Sequence, residues 1–322
     1  MLKLKIPSAE TKKAYVRKFL PLIVKRVKGE LKGRKLSDKA RDILLPGWNT
    51  TTPDTSILEK LLTAEPEELK RLNDDLWNKL QALSCRKRPD KKRLNEVFDY
   101  DNLIDGSKSN SYWLAHQVGR NTCAYCNRTY TLTVVKGKGK NDGDRIVRPT
   151  FDHWYAHADY PLMSMSLCNL IPSCSICNSS AKNSTPFDIG THIHPYIHEP
   201  GHPNLRFEAS LTADDPAKWT VEIKTVPGSK EEKTVDDLKL NEVYAYHGEL
   251  EVRDLKEFEE KYSDDYLKDL LEKVLKESNG ALKLKDVYRM LFGAEINEDA
   301  FLDRPLSKMK YDLLKVTIPK IS

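Results

Sequence analysis

Four cysteines set the tightest limit on how this chain can fold. They form two short pairs, Cys123-Ala-Tyr-Cys126 and Cys174-Ser-Ile-Cys177, with forty-seven residues between them. One C-x-x-C turn presents two sulfurs, and two such turns supply the four tetrahedral thiolates that structural zinc takes. Everything from 123 to 177 must then close on itself. The competing reading is a thioredoxin-type redox pair, which uses a single C-x-x-C at the start of a helix in a βα context that this chain lacks. With no export signal read at the basic N-terminus, the pairs favour metal over disulfides. A four-sulfur site has no open coordination position, so the expected Zn2+ is structural. Cys85 and Cys168 stand alone and read as plain thiols.

The flanks of this loop read as helical. Ala14, Val16, Phe19, Leu20, Ile23, Val24 and Val27 mark one face of a helix from about 9 to 31, weakened by Gly29 and Gly33. Helices are expected near 55–63 and 66–84, the second opening on Glu-Pro-Glu-Glu, and SYWLAHQVG forms a short helix closed by Gly119. Between 128 and 173 the period changes. RTYTLTVV and RIVRPTFDHW read as strands joined by a KGKGKNDGD tip, CNLIPSC as a third strand and SICNSSAKN as the start of a helix. LRFEASL and KWTVEIKTV read as a hairpin, followed by helices near 235–247, 252–262, 264–277, 283–292 and 304–316. The expected division is a helical, basic region 1–118, a core 119–190, a loop and strand extension 191–233 and a helical region 234–322. Residues 1–41 carry fourteen Lys or Arg against three acids, which suits either contact with phosphate or a solvated helix face. The longest apolar run, Phe19 to Val24, falls far short of a membrane span. A cytoplasmic protein with no membrane partner is expected.

Inside the cysteine-closed loop lie Asp152-His153, then Asn169, then Asn178 directly after the second pair, and Lys182. Phosphodiester hydrolysis needs a deprotonated water, a counter-charge for the phosphoryl oxygens and help for the leaving oxygen. His153 suits the first task, because an imidazole titrates near working pH. Asp152 and Asn178 are hard oxygen donors that leave most positions on Mg2+ or Mn2+ to water and phosphate. Successive strand residues point to opposite faces, so Asp152 and His153 converge only if the strand ends there. A lone Asp-His pair is usually structural; its conjunction with the cysteine-anchored Asn lifts it.

The order D-H, N-L, C-x-x-C-N and a following Lys resembles the HNH, or ββα-metal, nuclease signature over about Thr122 to Asn183. The resemblance implies an α+β, mostly helical protein around a central zinc-anchored ββα-metal core: a β-hairpin packed on a helix, with the active site between. It makes His153 the general base, Asp152 and Asn178 the catalytic-metal ligands, and Asn169 a brace for the loop and the base. Lys182, Arg128 and Arg148 become phosphate contacts, although surface lysine and arginine are the bland alternative for the two arginines. Where many relatives have Pro-Lys after D-H, this chain has Ala156-His157, so His157 becomes a phosphate contact, a group behind the site or incidental. SYWLAHQVGRNTCAYCNRTY, YPLMSMSLCNLIPSCSICN, HPY and RPLSKMKYDLLK resemble nuclease subunits of Septu-type and retron-associated anti-phage systems, which implies an ABC-like or AAA-like ATPase partner. The expected substrate is nucleic acid, DNA favoured on family grounds, with RNA or tRNA open. The alternative function is a non-catalytic zinc module gripping nucleic acid or protein. His192, His194, His198 and His202 form a possible second metal cluster, more often unliganded in a Pro-rich loop.

Overall fold

The computed structural model describes residues 2–30, 35–83, 91–137, 144–183, 185–197, 203–262 and 282–314, with isolated positions between 266 and 276. The expected helix 264–277 and the KGKGKNDGD tip fall largely outside these residues. Cys85, His198 and His202 fall wholly outside them.

Helix α1 (Ala9–Lys28) starts where the Ser8 side chain accepts from Thr11 N and stops at Gly29, whose φ of +74° is left-handed. Its buried residues, Tyr15, Phe19, Ile23 and Val27, recur every fourth position and so form one stripe. Short helix α2 (Asp38–Leu44) follows, α3 (Ser56–Thr63) packs on α1, and α4 (Pro66–Ala82) packs on α2 and α3. Helix α5 (Lys91–Val97) and a helical turn at Asp101–Asp105 lead to α6 (Lys108–Val118). Gly119 ends α6 because its backbone passes so close that an added Cβ would lie 2.2 Å from the Ala115 carbonyl oxygen.

The strands depart from the sequence reading. RTYTLTVV contributes only β1 (Val134–Val135) and an isolated Thr122–Tyr130 bridge. RIVRPTFDHW is not one strand: it divides into β2 (Arg145–Val147), paired with β1, and β3 (Thr150–His153). Pro149 sits in the break, and a proline has no N–H to give a ladder. Strand β3 instead pairs antiparallel with β4 (Leu170–Ser173), in the register Asp152 opposite Ile171 and His153 opposite Leu170. A helical segment, Ile176–Lys182, wound with the wider i→i+5 turn, follows β4 at once. The hairpin of β5 (Leu205–Leu211) and β6 (Trp219–Thr225) forms as the alternation predicts.

Helices Lys230–Asp237, Leu240–Ala245, Arg253–Lys261, Leu284–Phe292 and Ser307–Leu314 complete the described chain. The molecule is α+β, mostly helical with small antiparallel sheets. One apolar core runs from Leu2 to Met309 and draws on all four stretches into which the sequence divides. A smaller cluster joins Leu255, Tyr288, Phe292, Ala294 and Leu314. Among the described residues no helix is long and apolar enough to cross a membrane.

Candidate metal centre and adjoining site

The two C-x-x-C turns meet. The sulfurs of Cys123, Cys126, Cys174 and Cys177 all lie within 4.8 Å of one another, and all four residues are buried. Tetrahedral zinc with Zn–S bonds of about 2.3 Å needs sulfurs roughly 3.8 Å apart. The cluster fits such an ion with small adjustments. Asn127, at φ +50°, closes the first turn by donating its N–H to the Cys123 carbonyl at 2.8 Å. Cys177 N donates to the Cys174 sulfur at 3.4 Å in the second. Contacts among the four thiols pull the Cys126 and Cys174 pKa values down, while burial raises that of Cys123 and the neighbouring thiols raise that of Cys177. All five described cysteines are unbridged, and burial pushes the lone Cys168 thiol up to about 12, which leaves it inert.

Strand β3 lies beside this centre. Asp152 is 4% exposed. Its carboxylate accepts from the Tyr125 hydroxyl at 2.5 Å and pairs with Lys182 Nζ at 3.0 Å. Burial pushes the Asp152 pKa up, against the pull of Lys182 and Tyr125. Tyr125 is the residue between the paired cysteines, so the metal turn itself presents a donor to Asp152. Nothing in the sequence marks that contact.

His153 is the last residue of β3 and is 8% exposed. Its Nε2 lies 2.9 Å from the Ser164 carbonyl oxygen, which can only accept, so Nε2 carries the ring proton and Nδ1 keeps the lone pair. Tyr100 and His157 pack edge-on against the ring at 4.5 and 4.8 Å. Burial, reinforced by His157 and Lys182, pushes its pKa down to about 3, so the imidazole is neutral at physiological pH. The side-chain partners of Asp152 and His153 differ, one set being Tyr125 and Lys182 and the other Tyr100, His157 and Ser164.

Asn169 is fully buried and spans the loop between β3 and β4. Its Oδ1 accepts from Tyr155 N at 2.7 Å, and its Nδ2 donates to the carbonyls of Tyr155 and Met163, both at 3.1 Å. Asn178 stands one residue past Cys177, half-buried, and its side chain makes no hydrogen bond among the described residues.

The expected phosphate contacts divide. His157 is exposed and packs beside His153. Lys182, placed by the sequence reading on the phosphate side, is instead 2% exposed, and it donates to Asp152 and to the His153 carbonyl oxygen at 2.7 Å. Arg148 pairs with Asp105 at 2.6 Å, and Arg128 donates to His247 Nε2 at 2.8 Å beside the Tyr244 ring. Both arginines are therefore engaged within the protein. Of the histidine cluster, His192 pairs with Asp237 at 2.8 Å, and His194 packs on Trp154 at 4.4 Å. Among the described residues these two join no group of metal-ligating side chains; the one such group is the four cysteines.

No protein-family model, curated protein or solved structure matches the chain. What is established is a buried four-cysteine centre suited to a metal such as zinc, next to a strand pair, its connecting loop and a helical segment that carry Asp152, His153, Asn169 and Asn178.

Proposed function

We propose that the chain is a metal-dependent endonuclease of the HNH type, with residues 150–182 as its ββα core and the four cysteines as its structural zinc site. The observation that carries this reading is the His153 ring, buried and fixed by Ser164 in the tautomer whose free Nδ1 can accept a proton. A neutral, oriented imidazole keeps its Nδ1 lone pair free at working pH, although burial makes it a weaker base than the freely titrating imidazole the sequence suggests. Asn169 supports that orientation by tying Tyr155 to Met163, next to the Ser164 carbonyl on which His153 rests. His157 supplies an exposed donor for a phosphate oxygen beside the base.

Asp152 and Asn178 are the residues that would hold Mg2+ or Mn2+. A carboxylate and an amide oxygen, both hard donors on adjoining elements, fit such an ion in donor chemistry. When bound, the ion supplies positive charge to the phosphoryl and leaving oxygens. The substrate class is nucleic acid, with DNA the first choice to test.

Plasmid, single-stranded DNA and total tRNA, each incubated with and without Mg2+, test the reading. Cleavage should require Mg2+, and His153→Ala should lower it by roughly 100-fold or more while zinc content and fold persist. If the native chain is inert alone, the assay is repeated with a candidate ATPase partner. Binding of nucleic acid without Mg2+-dependent cleavage in either setting favours a non-catalytic zinc module.

A further inference from the structure

We propose that Lys182 is an internal cation standing in the divalent-ion position on Asp152, which it must vacate before a metal ion can bind. The inference rests on the part of the nuclease reading that makes Asp152 a ligand, and not on cleavage.

Lys182 Nζ lies 3.0 Å from one Asp152 oxygen and 3.3 Å from the other, so it addresses the whole carboxylate. The same ammonium donates to the His153 carbonyl oxygen at 2.7 Å and lies 5.2 Å from the centre of the Phe187 ring. Lysine is almost never this deeply buried unless paired, and a buried carboxylate without a cation is equally costly. Among the described residues, the charge acting on the Asp152 carboxylate is that of Lys182. The Tyr125 hydroxyl takes a further lone pair on Oδ2. Adding a divalent ion to one carboxylate and one ammonium leaves two uncompensated positive charges in a space closed to water. Unlike charges attract and like charges repel most strongly where solvent screens least, so ammonium and divalent ion compete. Lys182 is the last residue of its helical segment, so its side chain can swing away without unwinding a turn behind it. Its departure would break the bond to the His153 carbonyl, which couples metal entry to the end of β3.

The test compares Mn2+ affinity of the full chain with that of Lys182→Gln and Lys182→Arg, read from free Mn2+ by electron paramagnetic resonance. The Gln variant should bind at least roughly tenfold more tightly than the native chain, and the Arg variant no more tightly, with zinc content unchanged in both. Because Lys182→Gln leaves Asp152 buried without its partner, at a cost to folding, the native chain labelled with 15N-lysine gives an independent readout. The buried ammonium resonance, assigned by its loss in Lys182→Arg, should shift or vanish as Mg2+ saturates. Equal or weaker Mn2+ binding by Lys182→Gln, no binding by any of the chains, or an ammonium signal unmoved by Mg2+ overturns the proposal. Tighter Mn2+ binding by Lys182→Gln, with nucleic acid left intact by the native chain both alone and with the ATPase partner, ends the nuclease reading and keeps this one. Cleavage that depends on His153 with Mn2+ affinity unchanged in Lys182→Gln does the reverse.

Discussion

Asn169 holds three backbone groups with one amide, and all three lie in the loop that returns from β3 to β4. Replacing it with Ala leaves the buried Tyr155 N–H and carbonyl without that partner, while the Met163 carbonyl keeps its bond from Ser166 N at 3.0 Å. Each buried polar group left unpaired costs about 1–3 kcal/mol. Asn169→Ala should therefore lower stability by roughly 2–5 kcal/mol, measured by urea denaturation. His153→Ala should cost less, because it frees only the Ser164 carbonyl. If the order is reversed, Asn169 does not brace the loop. The same scale explains what the sequence could not reveal about Lys182. Residue type and spacing place a lysine after C-x-x-C-N, but whether it meets solvent or Asp152 depends on how the helical turn lies on β3, and that is set by packing far along the chain.

At the scale of elements, the two cysteine turns join the end of α6 to the end of β4, and Ala124 N donates to the Pro172 carbonyl at 3.3 Å between them. Cys174→Ser should remove the metal, about one zinc per chain, measured by elemental analysis, and lower the melting temperature. Retention of full zinc content would show that the four sulfurs do not act together. A second junction, between α1 and the stretch after α5, is electrostatic. Arg26 donates to Asp99 at 2.8 Å and to the Glu96 carbonyl oxygen at 2.6 Å. Burial alone would raise the Asp99 pKa, but bonds from Asn102 and Arg26 outweigh it and hold the carboxyl below its ordinary range. A depressed folded pKa stabilises above the unfolded value and loses that contribution as pH falls through the folded one. Asp99→Asn should cost about 1–3 kcal/mol at neutral pH, and the gap to the native chain should narrow below about pH 4. Melting temperatures from pH 7 down to the acid limit of folding measure it, and a constant gap would rule the pair out.

The elements also show where sequence reading works. Long helices were legible, because a stripe repeated over five turns and ended by Gly29 has no good alternative. The β5–β6 pair was legible from alternation over seven residues each. Short helices α2 and α5 were not, since seven residues hold too few periods to separate from loop. Strand pairing was half-legible: Asp152-His153 was expected on a strand, but its partner is β4 and not the nearer RTYTLTVV. Pro149 breaks the local ladder, and the closed cysteine loop brings the more distant one alongside.

Across the whole molecule, the first cysteine turn is gripped from both ends of the chain. Leu2 N donates to the Ala124 carbonyl at 2.8 Å, while Asn127 Nδ2 donates to the carbonyls of Phe301 and Arg304 at 2.8 and 3.1 Å. Thr122 N and Oγ1 both donate to the Leu302 carbonyl, Leu306 N donates to the Asn127 carbonyl, and the Tyr244 hydroxyl donates to that of Cys126. A cysteine centre tied both to Leu2 and to residues 301–306 ought not to melt alone. Trp113 packs on α1, Trp154 lies in the core beside β3, and Trp219 sits in β6, so tryptophan fluorescence samples widely separated parts while far-UV circular dichroism follows the helices. The two signals should fall in one coincident urea transition, and stripping the metal with a strong chelator should shift both midpoints together. If the chelator moved one transition and left the other in place, the shared core from Leu2 to Met309 would not bind the chain into one cooperative whole.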